Sequence, residues 1–284
     1  MSDGPAAASL GERSDRAIAP FGRRLLTVAG MDELGAYRVL RVADPVGPRP
    51  DPGQFAMLAA AERWGGGEDE RPYLARAFSI ARWSEGEAHY LLEDVGPGTE
   101  RLCELRAGEG LWALGPLGRG FAMPRERRRA LLVGGGVGIA PLAILQDTLS
   151  RKDVPVRALL GFRDAVRAVG AALLDGARVT TDDGSIGAGG LVTDLLAAEL
   201  DQDEHAVVYA CGPAPMLEAV RALCATRGVP AQLALEAGMA CGFGACYGCV
   251  VPRRGGGYLR VCVDGPVIDA AELDEVEAHA GAPA

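Results

Sequence analysis

Four cysteines near the end of the chain, Cys241, Cys246, Cys249 and Cys262, stand in the pattern C-x4-C-x2-C-x12-C. Thiolates are soft metal ligands, and C-x4-C-x2-C is the ligand spacing of plant-type [2Fe–2S] centres. Small residues fill the intervals: Gly242, Gly244, Ala245 and Gly248. They let the backbone turn tightly, so that amide N–H groups can face a dianionic cluster and offset its charge. A structural zinc site also uses four cysteines but draws them as two short-spaced pairs, whereas here a triplet is joined by a distant fourth. Inert thiols would be expected singly in apolar runs rather than between glycines. Cys103, Cys211 and Cys224 are scattered, and an odd total of seven argues against a disulfide framework.

Three further motifs could hold phosphates. Arg76-Ala77-Phe78-Ser79 closes one apolar β-run, and Gly96-Pro97-Gly98-Thr99 follows the next. A guanidinium and a hydroxyl on a strand, facing a glycine turn that begins a helix, suit a pyrophosphate. A surface ion pair for Arg76 and an ordinary turn at Gly98 and Thr99 compete with that reading. The segment Leu131–Leu142, LLVGGGVGIAPL, reads as a strand, a glycine turn and a helix start; Gly134, Gly135, Gly136 and Gly138 would let the backbone approach a nucleotide. Cys211-Gly212-Pro213-Ala214-Pro215-Met216 follows a later apolar run, where Cys211 lines a site or is simply a small buried residue. His89, His205 and His279 show no pattern for acid–base work, and no Ser-His-Asp or Cys-His arrangement is present.

The elements that must position these motifs fall into blocks. The first twenty residues are small and polar, without the apolar core of a signal peptide, and read as a loose extension (1–20). Over 21–126, short apolar runs broken by Gly and Pro predict an antiparallel β-barrel, with Glu62–Arg71 as a charged surface loop. The basic run Arg125–Arg129 reads as a solvated linker. Over 127–235, apolar runs alternate with amphipathic stretches, which predicts a doubly wound parallel α/β nucleotide-binding domain. The Gly- and Cys-rich remainder, 236–284, has too little apolar material for a core of its own, so a bound inorganic centre would have to organise this small [2Fe–2S] segment.

Taken in order, RAFS, GPGT, the glycine turn and CGPAPM resemble the flavin and nicotinamide motifs of the ferredoxin-reductase superfamily. The compact cysteine segment narrows this. In oxygenase reductases of that superfamily the fourth cysteine lies much further downstream, whereas Cys262 follows Cys249 after twelve residues. That form resembles the electron-transfer subunits of class 1B dihydroorotate dehydrogenases, a likeness that extends to Pro52–Leu58, Gly115–Phe121, Thr181–Asp194 and Val261–Ile268. The resemblance implies FAD on Arg76, Ala77, Phe78, Ser79, Gly98 and Thr99, with the strand Leu91-Leu92-Glu93 beside it. It implies NAD on Gly134, Gly135, Gly136 and Gly138, with Cys211, Gly212 and Pro213 next to the nicotinamide. A catalytic dihydroorotate dehydrogenase subunit carrying FMN would be the partner, in a heterotetramer of two copies of each. Two departures stand out: Ala77 replaces the proline usual in the flavin motif, and Leu91-Leu92-Glu93 replaces a strand that normally carries a tyrosine and a basic residue. Contacts from that strand to the flavin are therefore expected to be backbone or apolar.

Bulk properties set the outer limits. A net charge of −9 disfavours nucleic acid as the main partner, and no apolar run is long enough to cross a bilayer. The chain reads as cytoplasmic. Arg163 could meet a 2′-phosphate, but Asp164 beside it would repel one, so NAD is expected over NADP by family likeness. The rival readings are a related subunit of an NADH-dependent ferredoxin–NADP reductase or of a sulfide-linked enzyme, a free-standing diaphorase or oxygenase reductase, and a zinc-containing nucleotide sensor.

Overall fold

The computed structural model describes residues 22–65, 72–125, 128–274 and 276. The extension at 1–20, the Gly66–Arg71 part of the charged loop, Glu126 and Arg127 of the basic run, and His279 lie outside the described residues.

Six strands close into the expected barrel, in the order β1-β2-β5-β4-β3-β6. They are β1 (Arg24–Leu34), β2 (Tyr37–Ala43), β3 (Phe55–Ala60), β4 (Arg76–Ser84), β5 (Glu87–Glu93) and β6 (Gly110–Leu117), with helix α1 (Pro97–Cys103) between the last two. Alternate residues such as Leu40, Val42, Leu58, Ile80, Tyr90, Leu92 and Leu111 fill the interior, which is what period-2 patterning demands. Arg24 locks one rim by donating two hydrogen bonds to the Asp44 carboxylate (2.6 and 3.1 Å) and a third to the Gly115 carbonyl. The motif Arg76–Ser79 opens β4 rather than closing a run.

The second body is a seven-stranded sheet ordered β10-β9-β8-β7-β11-β12-β15. Its elements are β7 (Arg129–Gly135), α2 (Ala140–Ser150), β8 (Val156–Phe162), α3 (Ala165–Ala168), β9 (Arg178–Thr181), β10 (Ala188–Gly189), α4 (Val192–Gln202), β11 (Ala206–Cys211), α5 (Ala214–Arg227) and β12 (Ala231–Ala234). All pair in parallel except the last, β15 (Val267–Asp269), which runs antiparallel to β12. The chain winds outward from β7 to β10 and then returns to the other side of β7 with β11. The carboxyl ends of β7 and β11 therefore form the topological switch point where open α/β sheets take their ligands.

Two readings change here. Arg129 belongs to no solvated linker: it begins β7 and bonds the buried Glu199 at 2.6 Å, a carboxylate that Arg178 also reaches at 2.9 Å. The cysteine segment is not left to an inorganic centre alone. It contributes β15 to the sheet, forms a hairpin of β13 (Val250–Pro252) and β14 (Tyr258–Arg260), and buries Val251, Leu259, Val261 and Ile268 in a core shared with Leu217, Val220 and Leu233. A segment too small for its own core has borrowed one from its neighbour.

The crossover from barrel to sheet is pinned at Ala122. Its N–H donates to Gln232 Oε1 (2.8 Å), and its carbonyl accepts from Gln232 Nε2 and Tyr209 Oη, both at 3.0 Å. Gln232 is fully buried. Replacing it with leucine leaves the Ala122 N–H without a partner, which should cost about 1–3 kcal/mol. A urea titration of Gln232→Leu is expected to show a lower midpoint with an unchanged slope.

Candidate functional site

The flavin motif and its turn come together as a physical pair. A Cβ placed on Gly98 would lie 2.5 Å from Arg76 Nε and 2.8 Å from its Cζ, so the guanidinium lies directly across the glycine. Arg76 Nη1 donates to the Leu74 carbonyl at 2.5 Å, and its charge faces the Trp64 ring at 5.9 Å. Among the described residues no carboxylate forms an ion pair with it, which leaves the charge available to a phosphate. Thr99 is occupied differently: its hydroxyl accepts from the N–H groups of Val95 (2.9 Å) and Gly96 (3.0 Å) and donates to the Gly96 carbonyl. It shapes the turn, in which Gly98 lies buried against Arg76.

The neighbouring strand offers less than its position suggests. Leu92 is fully buried in the barrel core, and Leu91 is buried where the barrel meets the sheet, among Tyr37 and Ile139. Only backbone remains from these two for a ligand. Glu93 is bonded to Arg167 at 3.0 Å. Ala77 is exposed and Ser79 half-buried, with Ala77 opposite Met57 and Ser79 opposite Phe55 on β3.

The two nucleotide motifs meet at the switch point. A Cβ on Gly135 would stand 2.7 Å from Met216 Sδ, and one on Gly138 would stand 2.6 Å from the Cys211 carbonyl. These glycines exist so that the turn after β7 and the Cys211–Met216 loop can touch. Gly134 lies beneath Ile139, Leu142 and Leu160 and serves packing, while Gly136 stays open, with φ +54° and nothing nearby. Cys211 is buried, and burial, reinforced by the charge of Glu236, holds its thiol well above the ordinary range. It is a small neutral wall, not a nucleophile.

The cysteine loop presents its sulfurs as two pairs. Cys262 N–H donates to Cys249 Sγ at 3.4 Å, and the Cys262 thiol donates to the same sulfur, lowering Cys249 to about 6 while its own proton is held more tightly. Burial opposes ionisation of Cys241, but N–H groups of Phe243, Cys246 and Ala245, with the Cys246 thiol, bring it down to about 7. Among the described residues no three His, Cys, Asp or Glu side chains converge as a single metal ion requires. The donor set is four thiols in two hydrogen-bonded pairs with amide N–H groups on Cys241 and Cys249, and these residues would hold a [2Fe–2S] cluster.

Close packing sets this loop against the barrel. Gly242 has φ +78°, and a Cβ there would fall 2.5 Å from Met57 Cγ and 3.2 Å from Leu117 Cδ1. The sequence also concealed Tyr247, which adopts φ +57° and stacks under Arg260 at 5.4 Å. A tyrosine in that conformation is an outlier, which only a fixed loop would hold. Tyr247 and Arg260 are not among the residues that the motifs single out, whereas Met57 lies within the Pro52–Leu58 stretch of the family likeness. Substituting Gly242→Val should push the loop off β3: the visible absorption of the cluster is expected to fall by more than half while the flavin remains bound.

Comparison with known proteins agrees with this geometry. Residues 236–274 match the family model for the iron–sulfur cluster binding domain of dihydroorotate dehydrogenase B. A dihydroorotate dehydrogenase B (NAD(+)) electron transfer subunit from Caldanaerobacter subterraneus subsp. tengcongensis is 38% identical over 231 residues, covering 80% of this chain and 88% of the relative. The corresponding subunit from Geobacillus kaustophilus is 37% identical over 265 residues, covering 89% and 99%. Among solved structures, an NADH-dependent reduced ferredoxin-NADP oxidoreductase superposes with a TM-score of 0.75 at 26% identity, covering 90% of this chain and 92% of that one. The ferredoxin reductase of carbazole 1,9a-dioxygenase shares the fold, with a TM-score of 0.64 at 24% identity over 75% of this chain and 68% of its own. With its sulfur pairs, its flavin turn and its nucleotide switch point in one framework, the chain belongs to the family of dihydroorotate dehydrogenase B electron transfer subunits.

Proposed function

We propose that this chain is the electron-carrying half of a cytoplasmic NAD+-dependent dihydroorotate dehydrogenase. Its partner would be a catalytic subunit that carries FMN and oxidises dihydroorotate, in a heterotetramer of two copies of each. Bound FAD supplies the change between hydride exchange with NAD+ and single-electron exchange with a [2Fe–2S] cluster. The chain's own residues do the rest by placement. Arg76 and the backbone of Gly98 and Thr99 hold the pyrophosphate, and Ser79 offers a hydroxyl on the same strand. Gly136 leaves room for the dinucleotide, and Cys211 to Pro213 wall the nicotinamide without competing for protons. Cys241, Cys246, Cys249 and Cys262 hold the cluster, and their amide surroundings compensate its negative charge.

One observation carries this reading: Gly242 rests on Met57, and Met57 is the register partner of Ala77 in the flavin motif. The cysteine loop is thus one side chain and one strand spacing, about 4.8 Å, from the flavin strand. Tunnelling falls steeply with distance, so an approach of this kind serves electron transfer directly.

A second reading has support from the similarity at TM-score 0.75 to the NADH-dependent reduced ferredoxin-NADP oxidoreductase. It keeps the cofactors and exchanges the partner. The sequence relatives at 37–38% identity favour the dehydrogenase. Co-expression with a catalytic dihydroorotate dehydrogenase subunit from the same genome decides: the purified complex should carry flavin and iron–sulfur spectra and form orotate with NAD+, and its inability to do so would exclude the first reading. In that complex, Cys262→Ser should abolish orotate-linked NAD+ reduction while NADH still reduces soluble dyes through the flavin.

A further inference from the structure

Arg167 on α3 joins the two cofactor bodies. Its Nε donates to Glu93 Oε1 at 3.0 Å and its Nη1 to Asp164 Oδ2 at 2.6 Å. Asp164 also caps α3, accepting from the Arg167 N–H at 2.9 Å. The guanidinium fork is therefore filled by one carboxylate from the barrel and one from the sheet. Each carboxylate stands at a cofactor loop. Glu93 ends β5, immediately before the turn that contains Gly96 and Gly98, and Asp164 follows β8 at the carboxyl edge of the sheet.

The surroundings make this contact a spacer rather than an ornament. Tyr37, opposite Glu93 in register, is fully buried and presses its ring within 2.8 Å of where a Cβ on Gly170 would stand. Ile139, the last residue of the nucleotide turn, contacts the same glycine at 3.2 Å. The hairpin tip joins in, with Ala36 N–H donating to the Val166 carbonyl at 3.4 Å. The barrel edge thus leans on the nucleotide turn, and Arg167 fixes how far it leans. A second tie, Arg82 to Asp147 (2.6 Å) and to the Leu173 carbonyl (2.7 Å), holds the bodies together independently. Loss of Arg167 then leaves a pivot rather than a separation.

We infer that Arg167 is a positioning residue for hydride exchange, setting the distance between flavin and nicotinamide through Glu93 and Asp164; the inference rests on the function proposed above. The side chains of Arg167, Glu93 and Asp164 are 31%, 20% and 33% exposed, so the ion pairs contribute little to folding, and the effect belongs to geometry. Small misplacements of reacting groups are costly to rate.

The test uses the cofactor-loaded complex with its partner subunit and stopped-flow reduction of the flavin by NADH. Arg167→Met and Glu93→Gln should each slow flavin reduction by on the order of tenfold, with FAD content, cluster absorbance and thermal midpoint near wild type. Arg167→Lys, which keeps the charge but lacks the planar fork that fixes both carboxylates at once, should recover part of the rate. The double variant should be no slower than the slower single, since the Arg167–Glu93 contact is common to both. Arg227→Met, which breaks a surface pair with Asp201, should leave the rate unchanged. Rates within twofold of wild type in Arg167→Met and Glu93→Gln, or strictly additive losses, would overturn the inference. A wild-type complex that NADH does not reduce would instead bring down the proposed function, and this inference with it.

Discussion

The contact between Gly242 and Met57 is the constraint on which the rest of this molecule turns. A side chain at Gly242 would collide with Met57, and its φ of +78° is one that side-chain-bearing residues rarely hold. Everything around it keeps the cysteine loop at that distance. Gly118 comes within 2.6 Å (at its Cβ position) of the Gly265 carbonyl, and Arg119 N–H donates to the same carbonyl. Strand β15 ties the segment to β12, and Phe55, Met57 and Leu117 share a buried cluster with Cys249 and Cys262. The segment is thus fastened to both bodies. Electron transfer rewards that arrangement, because distance and orientation are the quantities a protein controls when the cofactors do the chemistry.

A second constraint operates at the sheet's switch point. Two loops meet with almost no space between them, since Gly135 and Gly138 lie against Met216, Cys211 and Gly212. The glycines spend their missing side chains on this junction, and only Gly136 remains open toward a ligand. Cys211 fits the same logic, a buried thiol held protonated at the junction of the two loops.

Much of this was legible in the sequence. Cysteine spacing, strand–helix alternation and the order of glycine motifs are local signals, and local signals survive in a linear string. The divergences share one cause: they depend on which face of a strand or which distant residue a side chain meets. Leu91 and Leu92 sit on the right strand for a flavin, yet strand alternation and the domain junction bury both. Thr99 stands in the right turn, yet its hydroxyl is spent on Val95 and Gly96. Arg129 sits in a basic run, yet Glu199, seventy residues later, draws it into the sheet. Arg167 announces nothing, because a helical arginine is common everywhere, and the Pro52–Leu58 likeness does not say which face of its strand Met57 takes. Their meaning appears only when the partner is in view.

The unequal exposure of the sulfurs gives the path a direction. Cys249 and Cys262 are buried, and their loop shares apolar surface with the barrel. Cys246 is exposed, and Phe243 and Tyr247, within three residues of it along the chain, are exposed too. Exposed aromatics clustered near one site are what a surface shows when it is to be covered. One end of the sulfur set is lined by this chain's own core, and the other stands at the surface, where a subunit that passes electrons to or from a second protein needs it.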